Sequence, residues 1–206
     1  MNNMAKVIHI IGDGLTEKAY IDSIRDIVKN KPTKVHEASS IKKLKSAIDK
    51  CIKDGISLVI CLIDMDNKVP DGKYDHDANA IKYNELKQKY HNKTFINRKT
   101  EEETRIIMLE SYPCTEIFFL YYGEYTTMSK TNDGLKSELK RKYGYEVSAS
   151  YFNRHSLHEE VFSCRGGSLN KAISNARKSV NNHNKDDIHS SYSELYILFD
   201  ELGLVE

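Results

Sequence analysis

The run Leu58-Val59-Ile60-Cys61-Leu62-Ile63 constrains the fold more than any other segment. It is short, apolar at both parities and rich in β-branched residues. A strand of that kind must be buried on both faces, so helices have to cover both sides of its sheet. A second apolar run, Val7-Ile8-His9-Ile10-Ile11, lies about fifty residues earlier. Each run ends in acidic residues: Gly12-Asp13-Gly14-Leu15-Thr16-Glu17 after the first, Asp64-Met65-Asp66 after the second. Parallel α/β sheets bind ligands at the carboxyl ends of their strands. Carboxylates gathered there with no lysine to pair them repel one another, and a divalent cation would relieve that repulsion.

The remaining elements follow from periodicity and punctuation. Lys6–Ile11 is the first predicted strand, Lys34–Ala38 the second, Ser57–Ile63 the third and Arg105–Glu110 the fourth. Helices are expected after Thr16, after Ser39 or Ser40 up to Gly55, over Ala78–Tyr90, and from Pro113 through Ile117, Phe118, Phe119 and Tyr121. Residues 65–77 read as a polar loop, with Asp71, Asp75 and Asp77 solvated. Repeated strand–helix units imply a parallel sheet with right-handed crossovers. After Tyr125 strand-like runs vanish. Helical segments are expected at Leu135–Lys142, Leu169–Val180 and Tyr192–Leu202, with a loop at Asn181–Lys185. The expected organisation is an α/β domain over 1–125 and a mainly helical extension over 126–206 packed on it.

Of the 206 residues, 39% are hydrophobic and 30% charged, which suits a chain with a real core. The net charge of +1 argues against a general nucleic-acid coat protein but not against a nuclease, whose acidic centre can offset a basic surface. Between residues 120 and 180, ten Lys/Arg face six Asp/Glu. The four cysteines, Cys51, Cys61, Cys114 and Cys164, form no C-x-x-C pair, and Cys61 reads as a small core residue. They suit a reducing compartment, and no apolar stretch nears the ~20 residues of a membrane helix. The expectation is a cytoplasmic protein.

Asp64 and Asp66 stand at i and i+2, on one side of an extended strand end and ~6.5–7 Å apart along the backbone, so both can turn to one cation or to two adjacent ones. The bland reading is a turn in which Asp caps the backbone. Asp13 lies between two glycines that permit a sharp turn. A dinucleotide-binding glycine loop competes for this segment. Against it, Glu17 replaces the third glycine, and Asp13 would place negative charge where a pyrophosphate should sit. Glu17 and Glu116 can equally be first-turn helix acids. Glu110 or Glu116 is placed to join the strand-end site. His155 and His158 form H-x-x-H without a partner motif and read as surface residues.

Three segments together resemble the RloB-like proteins, a branch of the toprim fold associated with bacterial restriction and phage-defence loci. They are Gly14-Leu15-Thr16-Glu17-Lys18-Ala19-Tyr20, similar to G-x-T-E-x-x-Y; Asp64-Met65-Asp66-Asn67; and Ser111-Tyr112-Pro113-Cys114-Thr115-Glu116-Ile117-Phe118, similar to S-N-P-x-F-E-x-W. Ser191-Tyr192-Ser193-Glu194-Leu195-Tyr196 is similar to the family's ending. The resemblance implies a toprim-like sheet with a C-terminal helical extension. It also implies a Mg²⁺- or Mn²⁺-dependent nuclease on DNA or RNA, in anti-phage defence. Its metal would be held by Asp13, Asp64, Asp66 and Glu116. The catalytic set would be Asp13, Glu17, Asp64 and Asp66. Lys140, Arg141, Lys142, Arg165, Lys171 and Arg177 would contact phosphates. Partners would be nucleic acid and a protein of a defence complex, with a homo-oligomer left open and no membrane. The alternative is a non-cleaving nucleotide or nucleic-acid sensor.

Three departures from the pattern matter. Asp13 stands where toprim proteins carry Glu, and Thr115 and Phe118 replace Phe and Trp. The shorter carboxylate is withdrawn by ~1.5 Å. A catalytic constellation tolerates ~0.5 Å, so either the backbone compensates, or Glu17 takes the role, or catalysis suffers.

Overall fold

The computed structural model describes residues 7–184, 187 and 189–205. Lys6 and Lys185, the ends of one predicted strand and one predicted loop, lie outside them. The strands are β1 (Ile8–Gly12), β2 (Lys34–Glu37), β3 (Leu58–Asp64), β4 (Lys93–Ile96), β5 (Glu103–Tyr112) and β6 (Tyr192–Ser193). They form one sheet in the order β2-β1-β3-β5-β4, with β6 also on β5. The pairs among β2, β1, β3 and β5 are parallel, whereas β4 and β6 run antiparallel to β5. The sheet is therefore mixed, not purely parallel, and its α/β layering matches a toprim-like architecture.

The helices are α1 (Leu15–Ser23), α2 (Ile41–Lys53), α3 (Tyr74–Tyr90), α4 (Glu116–Leu120), α5 (Asn132–Tyr143), α6 (Ala149–Phe152), α7 (Leu169–Asn182) and α8 (Tyr196–Leu202). A 3₁₀ turn covers Arg25–Ile27 and a π-helix covers Leu157–Ser163. Among the described residues, no helix is long and apolar enough to cross a membrane.

Alternation along the strands sorts the core into two layers. Ile8, Ile10, Leu58, Ile60, Leu62, Ile107 and Leu109 face α1, α4 and the C-terminal helices. Ile11, Val59, Cys61, Ile63, Ile106 and Met108 face α2 and α3. Cys61 is fully buried, as its place in the apolar run requires.

The first layer continues through the segment after residue 125. Phe118 stacks on Phe199 with ring centroids 5.9 Å apart, and Phe119 meets Phe162 at 4.9 Å. Tyr20 and Tyr122 share a buried hydroxyl–hydroxyl hydrogen bond of 2.9 Å. One apolar core thus contains residues from both sides of position 125.

Several boundaries differ from the sequence expectation. The segment 192–202 is not one helix: Tyr192 and Ser193 pair with Tyr112 and Ser111 before α8 begins. Residues 65–77 are not all loop, because α3 starts at Tyr74, with Asp75 and Asp77 in its first turn. Asp71 is ordered by Lys73 and His76, both 2.9 Å from its carboxylate. The strand expected over Arg105–Glu110 spans Glu103–Tyr112 and is the fifth, because β4 precedes it. That short, polar edge strand follows a turn at Asn92 (φ +56°) and carries no long apolar run.

Candidate functional site

β3 and two helix starts converge at one end of the sheet. Asp64, the last residue of β3, is paired in register with Ser111 of β5. Beyond it the chain turns sharply, with the Met65 and Asp66 amides donating to the Pro113 carbonyl at 3.0 and 2.9 Å. That turn places Thr115 against Asp64. The Thr115 amide and hydroxyl both donate to Asp64 Oδ1, at 2.8 and 3.0 Å. Glu116 follows as the first residue of α4 and is 4% exposed. Glu17, in the first turn of α1, is 3% exposed, and its Oε2 accepts from the Gly14 amide at 2.9 Å. Tyr145 links Glu116 to the start of α1. Its hydroxyl donates to Glu116 Oε1 at 3.2 Å and lies 3.3 Å from the Thr16 hydroxyl.

Gly12 permits this approach. A Cβ at Gly12 would lie 2.5 Å from Glu17 Cβ, so any side chain there would push Glu17 away. Its role is close packing, not the turn freedom expected from the sequence. Gly14 has an extended φ of −170°, which any residue adopts.

Burial is the main cause holding the Asp64 carboxyl well above the ordinary carboxylate range. Glu17, Glu116 and Asp13 add to it, and the Thr115 amide opposes it. Burial likewise raises Glu17, with Glu116 adding and the backbone amides of Glu17 and Gly14 opposing. Among the described residues, no Lys or Arg forms an ion pair with Asp64, Glu17 or Glu116. The three carboxylates repel one another in a poorly solvated setting.

Asp13 and Asp66 stand at the rim. Burial raises Asp13, Lys68 lowers it, and Asp66 raises it further. Lys68 corrects the expectation that no lysine lies among these acids. Its Nζ sits 4.0 Å from Asp13 Oδ2 and donates to the Asp64 carbonyl at 2.7 Å. Asp66 Oδ2 accepts from Asn132 Nδ2 at 2.5 Å, while Asn132 Oδ1 is buried without a hydrogen-bond partner among the described residues.

The other acidic and basic candidates divide. Glu110 lies on the opposite face of β5, where Tyr83 and Lys87 donate to its Oε1 and Tyr192 to its Oε2. It therefore does not join Asp64, whereas Glu116 does. Lys140 pairs with Glu146 at 3.0 Å, Lys142 with Glu138 at 3.1 Å and also with Glu124, and Arg177 with Asp200 at 3.1 Å. Lys171 donates to the Gly123 carbonyl. Arg141 is exposed on α5, and Arg165 is exposed after the π-helix. Among the described residues, none of these six forms an ion pair with Asp13, Glu17, Asp64, Asp66 or Glu116. His155 faces Glu160 at 3.5 Å, while His158 bonds the Tyr122 hydroxyl at 3.0 Å, so H-x-x-H does not converge on one point.

A separate group lies on the other side of β1. One ligand atom each from His9, His36 and Cys51 falls within 4.8 Å of the others, an arrangement that can hold a metal ion. Sequence reading missed it because His9 sits inside an apolar run and Cys51 inside an apolar helix face. It also missed Lys68, Thr115, Tyr145 and Asn132. Lys68 directly follows Asp64-Met65-Asp66-Asn67, and Thr115 adjoins Glu116, so those two left a local signal. Tyr145 and Asn132 reach the site only through long-range packing.

The acidic donor set suits a hard divalent cation, which prefers carboxylate oxygen. The buried, unpartnered Asn132 oxygen beside Asp66 offers one more neutral acceptor. A family model described as RloB-like protein matches residues 8–202. No curated protein and no solved structure matches the chain. The chain belongs to the RloB-like family.

Proposed function

We propose that this RloB-like protein is a Mg²⁺- or Mn²⁺-dependent nuclease acting on DNA or RNA in bacterial anti-phage defence. The observation that carries the reading is the buried pair Glu17 and Glu116 beside the half-buried Asp64, with no Lys or Arg among the described residues ion-paired to any of the three. In this reading Asp64, Glu116 and Glu17 hold the cation, and Asp13 and Asp66 complete the set from the rim. The cation supplies charge neutralisation of the scissile phosphate and activation of water.

The chain's own groups do the positioning. Thr115 fixes the Asp64 carboxylate with two hydrogen bonds, and Tyr145 fixes Glu116. Glu17 acts on Asp64 more strongly than Asp13 does and itself feels the Glu116 charge, so in this reading it takes the place that the shortened Asp13 side chain leaves. Asp13, partly exposed with a raised proton affinity, is placed to accept or return the proton of an attacking water. Lys68 is placed to neutralise a phosphate oxygen at the rim. Arg141 and Arg165 contact backbone phosphates directly, while Lys140, Lys142, Lys171 and Arg177 exchange their present partners for phosphates.

The second reading is a non-cleaving nucleotide or nucleic-acid sensor, favoured by Asp13 in place of the expected Glu. In either reading the protein serves within a defence complex, in the cytoplasm. Purified protein incubated with Mg²⁺ or Mn²⁺ and a panel of DNA, structured RNA and transfer RNA separates the two. Cleavage abolished by Asp64→Ala and by Glu17→Gln is the expected result. Metal-dependent binding without cleavage would leave the sensor reading.

A further inference from the structure

We propose that His9, His36 and Cys51 form a binding site for a zinc-class transition-metal ion, independent of the nuclease reading and of its acidic cluster. The strand register builds the site. His9 of β1 pairs with Lys34 of β2, so His36, two residues on, projects from the same face as His9. That face carries α2, whose Cys51 is 1% exposed and belongs to the layer beneath it. His36 Nε2 lies 2.9 Å from His9 Nδ1, and Cys51 Sγ lies 3.6 Å from the same nitrogen. Gly12, which admits Glu17 to the acidic cluster, is on the other face of β1.

The geometry is close to what a tetrahedral ion requires. Bonds of ~2.0–2.1 Å to nitrogen and ~2.3 Å to sulfur put ligand atoms ~3.3–3.6 Å apart. The Cys51–His9 separation already fits. The two imidazoles must part by a few tenths of an ångström, and the third pair, Cys51 and His36, which lie within 4.8 Å, must close by up to about 1 Å; His36, half-buried on an edge strand, is the residue that moves. Without metal, the same atoms make an imidazole–imidazole hydrogen bond over a buried thiol. The donor types discriminate between metals. Two nitrogens and one sulfur select a borderline-soft ion and disfavour Mg²⁺, the reverse of the acidic cluster. Asp54, which follows α2 directly, acts electrostatically on all three residues and favours a cation among them. Lys34 and Lys50 act on the same group and oppose the ion's charge. A bound ion would tie the short edge strand β2 to β1 and to the end of α2.

Cobalt(II) titrated into the full-length protein reads this directly, because a cobalt–thiolate bond gives a near-ultraviolet charge-transfer band. The expected result is a band that saturates at one equivalent, is displaced by Zn²⁺ and survives excess Mg²⁺. Cys51→Ser should remove the band, His36→Gln should weaken cobalt binding at least about tenfold, and Asp64→Asn should leave both unchanged. His36→Gln changes a half-buried edge position, so it keeps the test decisive if Cys51→Ser fails to fold. No thiolate band in the parent protein, a band that persists in Cys51→Ser, or cobalt binding unchanged in His36→Gln would overturn the proposal.

Discussion

Asp64 accepts two hydrogen bonds from Thr115, a residue standing where the RloB-like pattern carries Phe. A phenyl group could not supply the second bond, so the hydroxyl is this chain's own device for holding the carboxylate. Thr115→Val keeps the shape and the amide bond but removes the hydroxyl bond. We expect a loss of about 1–2 kcal/mol in orienting Asp64, read as a roughly tenfold fall in any metal-dependent activity. Gly12 gives a sharper test. Gly12→Ala places a methyl against Glu17 Cβ, and overpacking of that kind costs about 1–3 kcal/mol. A lowered melting temperature together with lost metal affinity is expected; unchanged metal affinity would remove Glu17 from the set.

The raised carboxyls make a pH prediction with a definite sign. Asp64 and Glu17 bind protons more tightly folded than unfolded. Their contribution is fully present below the ordinary carboxylate range near ~4 and is lost as pH rises through the raised folded values. In chelator, Asp64→Asn should therefore be more stable than the parent at pH 8, with the gap shrinking towards pH 4. A gap independent of pH would contradict the buried-acid account.

The elements explain what was legible and what was not. β1 and β3 were readable because a strand buried on both faces leaves an uninterrupted apolar run. The acids at their ends were readable because a parallel sheet gathers such ends along one edge. β4 and β6 left no such trace, since short edge strands need few apolar residues and take their pairing from β5. Lys68 follows the acidic motif directly, yet only the turn at Met65 and Asp66 brings it back to Asp13, which a linear sequence does not show. The basic residues after position 125 illustrate the converse. Local charge excess was visible, but the pairing of Lys140, Lys142 and Arg177 with acids depends on tertiary packing.

At the scale of the whole molecule, the segment after 125 completes the core. Phe118 is fully buried against Phe199 of α8, and β6 extends the outer edge of β5. A fragment of residues 1–125 would expose that aromatic layer, and we expect it to aggregate or remain unfolded. Phe118→Ala should cost about 3–5 kcal/mol and lower a single cooperative transition. A soluble, cooperatively folding 1–125 fragment would show instead that the two segments are separate domains.

The account rests on the buried acids being a cation site, and Mn²⁺ binding followed by electron paramagnetic resonance tests that most directly. The full-length protein should bind Mn²⁺, Mg²⁺ should compete, and Asp64→Asn and Glu17→Gln should each lose the binding while remaining folded. Mn²⁺ affinity equal to the parent's in both variants would contradict the account.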